Sequence, residues 1–241
     1  TRRVGAVSIL LFDVDGHVLE PVELWIENLE PSLKDRALRL DKDKHGLEYW
    51  NFDGFVPSTY SKGRSTNVAA IGTTKQWRKD HIFENPDISW KEALARVPGA
   101  CNPDDRIKLM NQEGIDISIL YPTLGLGFAN IKDPVIASAY CRVYNDWIVD
   151  FCNAYPDRLI PALVLPWHDV PLSVQEMTRH SSINIKAIQA PSGPPQDISY
   201  GSIHWDPIWA EYQNQGVPVS LHVGSAGTSS YSILHPEEKH P

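Results

Sequence analysis

The sequence predicts an α/β fold, a parallel barrel of alternating strands and helices, and two observations support this prediction. After residue 100, apolar strand-like runs and helix-like segments alternate four times along the chain. Repeated β/α units of this kind form a parallel sheet with helices packed outside it. Polar residues gather where the apolar runs end, as in a barrel whose active site lies at the carboxyl ends of its strands. No Gly-x-Gly-x-x-Gly pattern follows the first run, which disfavours a dinucleotide-binding sheet.

The first strand is predicted at residues 6–15, where an apolar, β-branched run ends in Asp13 and Asp15. Such a run is typical of a strand that is buried on both faces. Residues 23–100 show no clear period apart from a short helical pattern at 32–39, and we interpret them as a long insertion. The insertion is predicted to form a lid over the strand ends, with aromatic walls from Trp25, Trp50 and Trp77.

Capping patterns mark the remaining elements. Asn102 and Asp133 each precede a proline, as at the start of many helices, and Gly114 and Gly216 end helices. The same signals predict helices at 102–112, 133–154, 170–180 and 206–215, and strands at 115–121, 159–165, 185–189 and 217–222. Together with the first strand, these units correspond to strands one to five of a TIM (β/α)8 barrel.

Composition and charge disfavour several classes of function. The 241 residues are 42% hydrophobic, which predicts one globular domain over residues 1–241. Lys and Arg number 22 against 30 Asp and Glu, so a nucleic acid or an anionic membrane is not expected as a partner. The apolar stretch at 7–12 is too short to span a bilayer. Three cysteines without CxxC spacing indicate reduced thiols and a cytoplasmic location.

Two strand ends carry residues that could bind a metal ion. Alternation along the first strand places Asp13, Asp15 and His17 on one side, and Glu20 follows one short turn later. His222 ends the fifth strand, so it is expected at the same mouth of the barrel as His17. Carboxylate oxygens and imidazole nitrogens together suit a divalent ion. The acids could instead cap loop amides, and His222 could be a hydrogen-bonded structural residue.

These segments resemble the amidohydrolase superfamily, in its amidohydrolase-related branch that includes aminocarboxymuconate-semialdehyde decarboxylase. The resemblance covers residues 7–26 and about 99–228. It rests on the order of seven motifs: Asp15-x-His17-x-x-Glu20-Pro21 with Leu24-Trp25, Gly114-Ile115-Asp116, Leu120-Tyr121-Pro122-Thr123, Tyr144-Asn145-x-Trp147, Pro156-x-Arg158-Leu159, Asp206-Pro207-x-Trp209 and Pro218-Val-x-Leu-His222-x-Gly224.

The resemblance implies a metal-dependent TIM barrel and a specific ligand set. Asp15 and His17 match the acid-x-His pair of the first strand, and His222 matches the metal histidine of strand five. Glu20 is a further possible ligand, so the implied metal site is Asp15, His17, Glu20 and His222, with Asp15, His17 and His222 also catalytic. Gly16 stands where serine is commoner. The later catalytic histidine or acid and the aspartate of strand eight have no counterpart before Pro241.

The expected function is hydrolysis or non-oxidative decarboxylation of a small carboxylated organic substrate. A divalent ion, zinc by default and manganese or iron as alternatives, would polarise a substrate oxygen or activate a water. Two alternatives stay open: a non-haem iron oxygenase on the same scaffold, and a non-catalytic binding barrel. Residues at strand ends that could contact the substrate, or could equally be packing or capping residues, are Trp25, Tyr121, Thr123, His168 and Gln189.

A five-stranded barrel segment would leave strand edges unpaired and part of its core uncovered. Each further β/α unit needs about 30 residues or more. We therefore expect three further units, on a separate fragment or beyond residue 241, as a partner that completes the barrel. A homo-oligomer is also expected.

Overall fold

A computed structural model describes residues 2–4, 7–46, 48–54, 90–182 and 186–222. Its strands are β1 (Arg2–Val4), β2 (Val7–Ile9), β3 (Phe12–His17), β4 (Arg39–Lys42), β5 (Glu48–Asn51), β6 (Ile117–Tyr121), β7 (Leu159–Leu163), β8 (Ala187–Pro191) and β9 (Val219–His222). Its α-helices are α1 (Leu24–Asn28), α2 (Trp90–Arg96), α3 (Pro103–Glu113), α4 (Pro134–Asn153), α5 (Val170–Arg179) and α6 (Asp206–Gln215). Short 3-10 helices include Pro31–Arg36 and Gly125–Asn130.

The central sheet confirms the predicted barrel class. Five strands lie in the order β3-β6-β7-β8-β9, and each neighbouring pair is parallel. Helices α3, α4, α5 and α6 each connect one strand of this sheet to the next. The sheet is therefore a curled half of a TIM barrel, and the carboxyl ends of its strands share one edge.

The starts of α3 and α4 agree closely with the prediction because capping side chains determine them. The side chain of Asn102 accepts a hydrogen bond from the Asp105 amide, and Asp133 accepts one from Val135. Gly114 and Gly216 end α3 and α6 with positive φ angles of 73° and 64°, which favour glycine. The predicted strand at 185–189 begins at Ala187 in the structure, and residue 185 lies outside the described residues.

The first strand differs from the prediction of one strand at 6–15 with both faces buried. Val7–Ile9 pairs with Arg2–Val4 in an antiparallel hairpin, and the central-sheet strand runs from Phe12 to His17. Phe12 and Val14 are 53% and 63% exposed. Among the described residues β3 pairs with β6 alone and is an edge strand. The face that carries Phe12 and Val14 is open to solvent, so the predicted burial of both faces is wrong.

The described parts of the 23–100 insertion belong to the main hydrophobic core. Trp50 and Trp90 are fully buried and stack edge to face with ring centroids 5.0 Å apart. A β4-β5 hairpin, α1 and α2 form within the insertion, none of which the sequence pattern indicated. Trp77 lies outside the described residues, and the lid over the pocket stays a prediction.

A second, smaller cluster fills the concave side of the sheet. Ile119 and Tyr121 of β6 contact Ala162 of β7 and Ala187 of β8 there. The two alanines face each other in register and leave little side-chain volume beside Tyr121. None of the described helices combines the length and the apolar character needed to cross a bilayer.

Candidate metal centre

Three side chains from the two outer strands of the sheet meet at its carboxyl edge. The Nε2 atoms of His17 and His222 lie 3.1 Å apart. Asp15 Oδ1 lies 3.1 Å from His222 Nε2 and 3.8 Å from His17 Nε2. Among the described residues these are the three side chains whose ligand atoms all lie within 4.8 Å of one another.

The spacing fits a single divalent ion. Ligand atoms bonded to one ion at about 2.0–2.2 Å are about 2.8–3.6 Å apart when the angle at the ion is near that of octahedral or tetrahedral coordination. Both 3.1 Å separations fall in that range. The Asp15 side chain is 72% exposed, so rotation can adjust its longer distance to His17. Two imidazoles and a carboxylate also form a common ligand set for zinc, manganese and iron.

His17 is oriented for this role by two contacts that the sequence pattern did not reveal. Its Nδ1 lies 2.8 Å from the carbonyl oxygen of Pro122. A carbonyl can only accept, so Nδ1 carries the hydrogen and Nε2 faces the centre with its lone pair, as in most metal-binding histidines. Arg106 donates a hydrogen bond to the His17 carbonyl oxygen from the other side.

The environment keeps His17 neutral at physiological pH. Burial, followed by the nearby His222 ring, lowers the pKa of His17 to about 4, although the Pro122 hydrogen bond and Asp15 act in the opposite direction. A neutral imidazole is the form that binds a metal ion. The electrostatics and the orientation of His17 therefore both favour coordination.

The structure does not bring Glu20, which was predicted as a further metal ligand, together with Asp15, His17 and His222. The Glu20 side chain is fully buried, and both carboxylate oxygens accept hydrogen bonds from consecutive backbone amides at 123–125. Burial raises the pKa of Glu20 to about 7, against the opposing effect of those amides. Asp13 is also directed elsewhere, since its Oδ2 accepts a 2.8 Å hydrogen bond from Ser118 Oγ.

The residues predicted to contact substrate divide into two groups. Tyr121 adjoins the centre, with its ring centroid 5.3 Å from His222 and 6.1 Å from His17. Trp25 instead lies in the core with 0% exposure, and its Nε1 donates to the Tyr140 carbonyl. Thr123 is buried too, and its hydroxyl donates to the Val18 carbonyl. Because both side chains are enclosed by protein, the structure does not support pocket-lining roles for Trp25 and Thr123.

Three buried polar atoms on the β7 and β8 side of the same edge lack a hydrogen-bond partner among the described residues. They are Gln189 Nε2, His168 Nδ1 and Ser192 Oγ. Gln189 lies opposite Ser220 in the β8-β9 register, two positions before the pair Pro191 and His222. Ser192 was missed by the sequence analysis, although a serine directly after a buried strand could have been a signal.

Comparisons with known proteins agree on one family. A sequence profile described as Amidohydrolase matches residues 13–238. Two relatives named gamma-resorcylate decarboxylase, from Rhizobium radiobacter and Rhizobium sp. (strain MTP-10005), are 28% and 27% identical over 145 residues. The alignment covers 57% of this chain and 43% of each relative, so less than half of each relative is matched.

Solved structures share the fold. An amidohydrolase from Mycobacterium avium subsp. paratuberculosis K-10 gives a TM-score of 0.69 at 22% identity, over 94% of this chain and 61% of that one. The 5-carboxyvanillate decarboxylase of Novosphingobium aromaticivorans DSM 12444, solved with bound manganese, gives 0.52 at 20% identity over 88% and 50%. The family profile spans nearly the whole sequence and the half barrel has the corresponding fold, so the chain belongs to the amidohydrolase family.

Proposed function

We propose that this chain provides the metal centre of an enzyme that decarboxylates or hydrolyses a small carboxylated organic molecule. The convergence of Asp15, His17 and His222 is the observation on which the proposal rests. It lies at the carboxyl edge of a parallel barrel sheet, where active sites of this architecture are built. The decarboxylases among the relatives favour an aromatic carboxylate as the substrate class.

Asp15, His17 and His222 would hold the ion. When bound, a divalent ion would polarise a substrate oxygen or lower the pKa of a water. We keep zinc as the expected ion from the donor set, with manganese next because related decarboxylases were solved with it.

The unpaired polar groups beside the centre would orient the substrate. The Gln189 amide can donate two hydrogens to an anionic oxygen, and Ser192 and His168 could add one each. Such groups are costly to bury without partners, so a ligand that satisfies them gains affinity. Tyr121 would provide an aromatic wall beside His17.

A non-haem iron oxygenase is the second candidate, and the same triad supports it. Two histidines and one carboxylate with open positions form the ligand set of many such enzymes. Iron retained after aerobic purification, together with substrate-dependent oxygen consumption, would favour this alternative. A chain that binds no metal stoichiometrically would favour the non-catalytic binding barrel.

We further propose that three additional β/α units complete the barrel. The two outer strands of the sheet, β3 and β9, carry the exposed apolar residues Val14 and Leu221, whose exposed fractions are 63% and 54%. Apolar side chains that are so exposed are typical of a face that another part of a protein covers. The completing units would supply a catalytic histidine or acid and a metal-binding aspartate. A folded, monomeric species of 27.1 kDa that is active alone would contradict this proposal. The homo-oligomer and the cytoplasmic location stay predictions.

Metal binding tests the main proposal. We expect about one equivalent of Zn²⁺ or Mn²⁺ by calorimetry and elemental analysis, and a loss of affinity of more than about 100-fold in His17→Ala, because a direct ligand contributes more than its outer hydrogen-bond partners. His204→Ala is the matched control, since His204 is exposed, lies in a 3-10 helix before α6 and is not one of the three clustered side chains. Equal affinity in the wild type and His17→Ala would contradict the proposed centre.

A further inference from the structure

Glu20 holds a backbone turn rather than a metal ion. Its two carboxylate oxygens lie 3.1 and 3.3 Å from the Thr123 amide and 3.0 and 3.1 Å from the Leu124 amide. Its Oε1 also lies 3.0 Å from the Gly125 amide. One side chain therefore binds three consecutive N–H groups at the start of the Gly125–Asn130 3-10 helix.

The turn held by Glu20 is the one that orients His17. Pro122, the residue directly before the three amides, accepts the hydrogen bond from His17 Nδ1 at 2.8 Å. Neighbouring bonds fix the same turn to the β3 end, since Thr123 Oγ1 donates to the Val18 carbonyl at 2.6 Å and the Val18 amide donates to the Tyr121 carbonyl at 3.0 Å. The position of the Pro122 carbonyl thus depends on the contacts of residues 123–125.

The orientation of that carbonyl has a chemical consequence. With Pro122 as acceptor, the neutral His17 ring carries its hydrogen on Nδ1, and Nε2 presents a lone pair to His222 and Asp15. If the carbonyl moved away, the ring would lose the bond that selects this tautomer. Nε2 would then carry the hydrogen in part of the population, and in that form Nε2 has no lone pair with which to bind a metal ion at the centre.

Fold stability alone does not explain a carboxylate at this position. Removing a carboxylate from water is expensive, and well-packed apolar groups usually stabilise a core as well as buried charges do. Burial raises the pKa of Glu20 to about 7, which reflects that cost. An acceptor able to bind three amides at once has a specific use where backbone geometry must be fixed.

We propose that Glu20 is a positioning residue for the metal centre: it fixes the 122–125 turn, and through the Pro122 carbonyl it sets His17 in the tautomer whose Nε2 faces Asp15 and His222. The positioning role of Glu20 rests on the proposed function, because it matters only if His17 binds a metal ion. The tautomer itself is a property of the metal-free protein and can be measured separately.

The test is the tautomer of His17 in the metal-free chain, measured by long-range ¹H–¹⁵N correlation at about pH 7.5, where the ring is neutral. His17→Ala assigns the signals. We expect the Nδ1–H form in the wild type. In Glu20→Gln the side-chain amide places N–H donors against the backbone N–H groups of residues 123–125, so the turn should shift. The Nε2–H population of His17 should then increase, because the Pro122 carbonyl no longer holds the hydrogen of Nδ1. We also expect the affinity for Zn²⁺ to fall about 10- to 100-fold, the usual effect of losing an outer-shell contact.

Two further variants separate positioning from folding. Glu23→Gln removes an exposed carboxylate three residues away and should change neither the tautomer nor the affinity. Glu20→Asp keeps the charge on a side chain one methylene shorter, so its Nε2–H population and its Zn²⁺ affinity should lie between those of the wild type and Glu20→Gln. If Glu20→Gln does not fold, Glu20→Asp replaces it in the comparison.

Three results would overturn the inference: an Nε2–H tautomer in the wild type, an unchanged tautomer in folded Glu20→Gln, or an unchanged tautomer in Glu20→Asp where Glu20→Gln is unfolded. If the wild type binds no Zn²⁺ while Glu20→Gln still shifts the tautomer of His17, the proposed function is wrong and the role of Glu20 in orienting His17 stands.

Discussion

Gly16 lies between two of the candidate ligands at a position with no room for a side chain. A methyl group added there would sit 2.5 Å from Ser118 Oγ, 2.7 Å from Asp13 Oδ2 and 3.0 Å from the Ile119 carbonyl oxygen. The β3-β6 register also shifts between Asp13 and Gly16. Gly16→Ala therefore forces atoms apart at the strand that carries His17.

The cost of Gly16→Ala can be estimated from the contacts it breaks. Overpacking by one methyl group in a filled site costs about 1–3 kcal/mol. Ser118 is fully buried, and moving its hydroxyl away also weakens the 2.8 Å bond to Asp13. A hydrogen bond to a charged acceptor contributes about 1.5–3 kcal/mol, and part of it would be lost. We expect a total loss of about 2–4 kcal/mol in the free energy of unfolding.

Urea unfolding of a double-mutant cycle measures this effect. Ser118→Ala removes the atom closest to the new methyl group, so Gly16→Ala should cost less in that background, with a coupling free energy of about 1 kcal/mol or more. The unfolding midpoint should shift at a constant m value. If Gly16→Ala unfolds at the wild-type urea concentration, or if the two substitutions are additive, the packing argument is refuted.

Two other predictions concern the helices and the core. Burial raises the pKa of Glu176, but its contacts with His180, Arg179 and Asn145 outweigh this and lower the pKa to about 2. The ionised Glu176 therefore contributes about 3 kcal/mol to the free energy of unfolding above about pH 5, and this contribution is lost as the pH falls towards 2. Glu176→Gln should flatten this part of a profile of unfolding free energy against pH. An unchanged slope would contradict the assignment. Trp25→Phe removes the 3.2 Å hydrogen bond to the Tyr140 carbonyl and should lower the free energy of unfolding by about 1–3 kcal/mol in thermal or urea unfolding. A loss of Zn²⁺ affinity without a loss of stability would instead place Trp25 in the pocket.

The elements after residue 100 were predictable because their limits are set locally. Asn102 and Asp133 cap helices through their own side chains, and Gly114 ends a helix through its positive φ angle. These effects act within a few residues, so a single sequence contains them. The convergence of His17 and His222 was predictable for a topological reason, since parallel strands end on one edge whatever their separation in sequence.

The insertion and the first strand were less predictable because their structure depends on distant contacts. The apolar run at 6–15 indicates burial, yet Phe12 and Val14 lie on an exposed face of β3, which is an edge strand among the described residues. Trp50 is buried by Trp90, forty residues later in the sequence. No local period records such a pairing, so the sequence did not reveal that Trp50 and Trp90 belong to the main hydrophobic core.

Gly16 and Glu20 show why the surroundings of the candidate ligands could not be predicted from the family resemblance. A glycine where serine is commoner is a small departure as a pattern, but here it follows from the Ser118 hydroxyl that already occupies the space of a Cβ. Glu20 is spaced like a ligand, only three residues after His17, yet its carboxylate turns towards the 123–125 amides. Both outcomes are decided by β6 and the turn after it, about a hundred residues away in sequence. Contacts with β6 and with the turn after it therefore determine where the carboxylates of Asp13 and Glu20 point.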